Sequence, residues 1–74
     1  MMQLGGSIVN AIRKKLEGQI EAHKINITVL LENQVGVAEH SDITKTIEDE
    51  LDIIASCEDK IAVLNKHFND YKED

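Results

Sequence analysis

The fold turns on residues 43–71, ITKTIEDELDIIASCEDKIAVLNKHFNDY. Ile47, Ile54, Ile61 and Phe68 recur every seven residues, and Ile43, Cys57, Leu64 and Tyr71 fill a second series in the same register. Only Glu50 interrupts that second series, with Leu51 beside it. A seven-residue apolar repeat keeps one stripe of a helix facing a partner helix along its whole length. The acids Glu48, Asp49, Glu50 and Asp52 come early, while Lys60, Lys66 and Lys72 come late. That order complements the helix dipole, whose N-terminal end favours negative charge. Ser41 or Asp42 is placed to cap this helix, predicted over 42–71, and Thr46 to Asp49 offers a capping box one turn later.

Upstream, apolar residues recur in steps of three and four at Val9, Ile12, Leu16, Ile20, Ile27 and Leu30, with His23 in the same series. This is the helical period. It predicts a first helix over 7–33, with Ser7 as N-cap after Gly5 and Gly6, and residues 1–6 as a flexible segment. Asn33 and Gly36 supply the stop. The stretch INITVLL (25–31) also alternates β-branched and apolar residues, so a strand competes with helix there.

Between the helices lies a loop over 34–41, and folding the chain near residue 37 pairs position i with roughly 74 − i. Leu31 then faces Ile43, Ile27 faces Ile47, Ile20 faces Ile54, Leu16 lies by Cys57 and Val9 by Leu64. Phe68 and Tyr71 come over Leu4, Gly5 and Gly6, where small residues leave room for a ring. Arg13, Lys14 and Lys15 meet Glu58 and Asp59. So many matches from one fold-back point indicate an all-α, antiparallel two-helix hairpin. The same alignment sets His23 beside Leu51 and Glu50. His23 and Glu50 then form a polar core layer that fixes register, or else both turn to solvent at the edge of the seam.

One seam does not bury everything. Ile8, Ile25, Val29, Leu30, Ile53 and Val63 stand off it, and a second hairpin would cover them in a four-helix bundle, as would the surface of a larger protein. The valines of the loop extend the question. Val35, Val37 and Ala38 either cap the hairpin's closed end or present an apolar tip to a partner. Val35, Val37, Ala38, Ile53 and Val63 are therefore the candidate interaction residues.

Composition agrees. A chain of 74 residues with no proline, no Trp and a single cysteine has no internal disulfide to support a small core. Association is the remaining remedy, so a homo-oligomer (a dimer first) or a complex with a larger protein is expected. No apolar run reaches the roughly 18 residues of a transmembrane span. The start lacks a basic segment before its apolar stretch, so no secretory signal is read and a cytoplasmic, reducing setting is expected. Residues 1–38 carry four Lys/Arg against three acids, whereas residues 39–74 carry eleven acids against four lysines. The acidic half repels phosphates, and direct nucleic-acid binding is not expected.

Reactive constellations are sparse. Glu39, His40 and Asp42 bring ligand-type groups into one loop, and His67 and Asp70 stand three apart, but neither has the convergent set a metal needs. Cys57 occupies an inward position away from any helix N-terminus, which suits packing rather than nucleophilic attack. LGGS lacks the lysine of a phosphate loop. No catalytic, cofactor or metal residue is assigned, and an enzyme is not expected. The leading expectation is a structural or protein-binding module. The alternative is an acidic inhibitor that mimics nucleic acid through Glu48, Asp49 and Asp52.

The stretch VGVAEHSDI followed by IEDELDIIASCEDKIAVLNKHF resembles small uncharacterised proteins of tailed phages of marine cyanobacteria. The resemblance spans roughly residues 16–68, with GVAEH and LNKHF as its most distinctive pieces. It implies a virus-encoded accessory or virion component in the host cytoplasm, and it carries over no functional residue.

Overall fold

The computed structural model describes residues 4–33 and 40–71, without the side chains of His40 and Ser41. Within them the chain forms two helices, α1 (Leu4–Glu32) and α2 (His40–His67), packed against each other as an antiparallel hairpin. Residues 25–31 lie inside α1, so the three- and four-residue spacing prevails over the alternation of INITVLL.

The interhelical hydrogen bonds Arg13–Asn65, Gln19–Cys57, Asn26–Glu50 and His23–Glu50 join residues whose numbers sum to 78, 76, 76 and 73. The expected sum of about 74 lies within that range, so the pairing agrees with the fold-back to within about one turn. One expected set of contacts differs. Arg13 donates from Nε and Nη2 to Asn65 Oδ1 at 3.3 and 3.2 Å, and among the described residues the basic run forms no ion pair with Glu58 or Asp59.

Both outer ends depart from the expected boundaries. α1 starts at Leu4 rather than at a Ser7 cap, so Gly5 and Gly6 are helical and not part of a flexible lead. Tertiary packing offsets the poor helix propensity of glycine here. Gly6 is buried, and the Tyr71 ring lies so close over Gly5 that a Cβ there would sit 2.8 Å from Tyr71 Cδ1. At the other end α2 stops at His67 rather than continuing to 71. Phe68 N still donates to Leu64 O, and Tyr71 N then donates to Phe68 O at 3.1 Å, closing a turn through Asn69 and Asp70. Both are turn-forming residues. That turn brings Tyr71 back over Gly5 instead of carrying it past the end of α1. Phe68 packs beside Tyr71, with ring centroids 6.5 Å apart.

The inner ends follow the sequence more closely. Asn33 closes α1 by donating from both its backbone N and its Nδ2 to Val29 O, each at 3.0 Å. α2 carries Asp42 in its first turn and Lys66 and His67 in its last, the distribution its dipole favours.

The hairpin is a thin object, 57 × 19 × 12 Å, with a radius of gyration of 16.7 Å. A compact chain of this length would have a radius of about 11 Å. Only Leu16 and Cys57 are buried hydrophobic side chains among the described residues. The seam is one layer deep.

Candidate interaction surface

The seam divides the hairpin into two broad faces, each with a shallow groove along it. The first groove, about 560 Å³, is lined by Ile12, Leu16, Val63 and Leu64, with Lys15 and Asp59 on opposite helices and Gln19 and Lys60 between them. The second is lined by Ile20 and Ile61 together with Glu17, Glu21 and Glu58. One face therefore combines an apolar floor with charges of both signs, and the other is acidic. The difference follows from helical spacing: Glu17 and Glu21 are one turn apart and project together, while Ile8 and Ile12 do the same on the other side.

Of the expected interaction residues, Val63 lines the first groove and is half exposed, and Ile53 is exposed on α2. Val35, Val37 and Ala38 lie outside the described residues, as does Gly36. Further apolar side chains stand in solvent on both helices, among them Ile8, Ile25, Val29, Leu31 and Leu51. Leu31 and Leu51 were assigned to the seam, or beside it, from their spacing. The narrowness of a two-helix seam explains their exposure, because a helix buries only a limited arc against a single neighbour.

The expected polar layer is present as a set of contacts. His23 Nδ1 donates to Glu50 Oε2, and Asn26 Nδ2 donates to Glu50 Oε1 at 2.9 Å. The side chains of His23 and Glu50 are 25% and 15% exposed, so they lie at the seam rather than in solvent. Both carboxylate oxygens are thus held by α1. The bond from His23 draws the Glu50 carboxyl below its ordinary value of 4.5, against the opposing effect of burial, and Asn26 adds to the lowering. Asn26 is the member of this layer that spacing alone missed. It lies three residues after His23, on the adjacent position of the same helix face, which is the signal that finds it.

The remaining expected chemistry resolves into packing. Cys57 is buried, and its thiol donates to Gln19 Oε1 at 3.5 Å. Among the described residues no three His, Cys, Asp or Glu side chains converge as metal ligands, and no helix is long and apolar enough to cross a membrane. The side chains of Glu39 and His40 fall outside the described set. No protein-family model matches the chain, and neither a curated protein nor a solved structure shows significant similarity to it.

Proposed function

We propose that the chain is a non-catalytic structural or protein-interaction module that self-associates or docks into a larger assembly. One observation carries this reading. A globular chain of 8.3 kDa exposes about 4,600 Å², whereas this hairpin exposes 5698 Å², and eleven large apolar side chains are exposed among the described residues. Leaving that area in water costs the folded state the hydrophobic term on which small domains depend. A four-helix bundle formed by two hairpins, or a partner surface, removes the deficit. The buried thiol of Cys57, engaged with Gln19, supports a packing role for that residue. The setting supported by the resemblance is a virus-encoded accessory or virion component in the host cytoplasm.

The experiment is absolute mass by light scattering on a size-exclusion column, at low and high salt, with helical content from circular dichroism. A salt-insensitive multiple of the chain mass supports self-association. A helical monomer points to docking on another protein, and a chain without helix sinks both.

A second reading has its own observation. Glu48, Asp49 and Asp52 are all exposed on α2, with Glu48 and Asp52 one turn apart and Asp49 paired with Lys45 at 3.2 Å, so the row presents charge outward in the manner of phosphates. In that case the chain is an acidic inhibitor that occupies a nucleic-acid-binding surface. Its complex would weaken steeply with salt and lose affinity on Glu48→Gln and Asp52→Asn, whereas a packed apolar interface tolerates salt.

A further inference from the structure

We propose that a second copy of this chain docks on the face that carries Ile12 and Val63, about a two-fold axis parallel to the helices. The inference rests on the self-association reading above and adds to it the face, the occupant and the orientation.

The area is of the right size. The hairpin exposes 5698 Å², roughly 1,100 Å² more than a globular chain of its mass. A standard interface removes about 800 Å² from each partner. The composition is also that of an interface. Ile12 and Val63 are 43% and 50% exposed over a groove floored by Leu16 and Leu64. Seven residues beyond Lys15 and seven before Val63, the same face carries the small residues Ala22 and Ser56, where two backbones can approach closely.

Charge selects the orientation. Lys15 on α1 and Asp59 on α2 line the same groove from opposite helices. An axis parallel to the helices lays α1 of each copy over α2 of the other at the same level. Lys15 of one copy then approaches Asp59 of the other, twice over, and Ile12 meets Val63 in the same way. Lys60, next to Asp59, comes opposite Leu16 and carries its ammonium outward along its stem, away from Lys15. Neighbouring helices are antiparallel throughout, which also pairs their dipoles favourably. An axis across the helices instead sets α1 over α1. Centred on this groove, it opposes Lys15 to Lys15 and Asp59 to Asp59, and leaves the closed ends of both hairpins overhanging. Like charges in a contact oppose association.

The test uses the full chain at low salt, with sedimentation or light scattering over a concentration series and circular dichroism to confirm helix. Lys15→Glu and Asp59→Lys are each expected to weaken the dimer roughly tenfold, since two exposed pairs are reversed in each. Mixing the two variants is expected to restore it, because each mixed dimer regains both pairs between copies while contacts within a chain stay mismatched. Val63→Glu is expected to weaken the dimer on the order of 100-fold by placing a charge in the desolvated centre. Ile25→Glu, nine residues from buried Leu16 and hence on the opposite side of α1, is expected to leave it unchanged. A wild-type chain that is monomeric at every concentration overturns both the inference and self-association. A wild-type dimer indifferent to Val63→Glu, or to the single charge reversals, overturns the face or the axis and leaves self-association standing.

Discussion

Leu16 and His23 are seven residues apart on α1, and Glu50 and Cys57 are seven apart on α2. The two layers they form therefore have the same place in the repeat and opposite chemistry. Leu16 and Cys57, 6% and 4% exposed, are the two buried hydrophobic side chains among the described residues. His23, Glu50 and Asn26 meet through directed hydrogen bonds at the seam's edge. An apolar layer is satisfied by any neighbour of suitable volume, so it stabilises without specifying which neighbour. A carboxylate held at both oxygens by one helix is satisfied at one register only. A sliding hairpin would break these bonds and separate the half-buried His23 and Glu50. The comparison suggests a division of labour that experiment can test, with the apolar layer for cohesion and the polar layer for alignment.

The two layers can be separated by experiment, at one fixed protein concentration because association would shift apparent stability. The largest effect is expected at the apolar layer. Leu16→Ala removes a buried side chain and costs about 3 kcal/mol, a large share of the stability of a domain this small; chemical denaturation followed by circular dichroism reads it. A Leu16→Ala chain as stable as wild type would show that the seam does not hold the hairpin together.

At the polar layer, His23→Leu leaves Glu50 with Asn26 alone and is expected to lower the melting temperature by less than Leu16→Ala does. Replacing both His23 and Glu50 by Leu is expected to recover stability and lose alignment, since an apolar pair fits more than one register. Duplicate backbone resonances in an amide NMR spectrum would report the lost uniqueness. If His23→Leu changes neither stability nor assembly, the layer does not set register.

Acid sharpens the same contrast. Glu50 is held below 4.5 in the folded chain by His23, so its contribution is complete above that value and fades as pH falls through the lower folded value. The melting temperature of the wild type is expected to fall towards that of Glu50→Gln below pH 4.5, while the Leu16 layer is insensitive. Parallel pH profiles for the two proteins would remove the carboxylate from the account.

The smallest effects concern the glycines outside both layers. A Cβ on Gly18 meets nothing within 4 Å, so Gly18→Ala is expected to gain about 0.5–1 kcal/mol from helix propensity alone, or roughly 4 °C in melting temperature. At Gly5 the same gain is opposed by the Tyr71 ring, which a methyl would displace. Gly5→Ala is expected to change stability by less than about 0.5 kcal/mol and to move the Tyr71 ring resonances. A full Gly18-like gain at Gly5 would mean that the ring contact contributes nothing.

Much of this architecture could be read before any coordinates. The seven-residue series on α2 marked the inward positions, because a helix presents the same face every two turns whatever surrounds it. The fold-back then placed His23 by Glu50 and an aromatic ring over Gly5. Helix ends were less legible. Gly5 and Gly6 read as breakers, and residues 68–71 read as helix, because propensity is local while the Tyr71 contact that settles both is not. Asn26 escaped notice for the same kind of reason: its role depends on which carboxylate comes opposite it. Ile53 and Val63 were found as off-seam residues by periodicity, yet only the grooves separate Val63's mixed-charge face from the acidic one of Glu17, Glu21 and Glu58.

By itself, then, the order of residues determined that this chain is helical, that it doubles back once and which stripe of each helix turns inward, since these depend on spacings of three, four and seven along one chain. The tertiary structure alone decided the capture of Tyr71 by Gly5 and the joint hold of His23 and Asn26 on Glu50. Those depend on side chains distant in sequence meeting at one depth, and the energies that choose among neighbouring registers arise only when they meet.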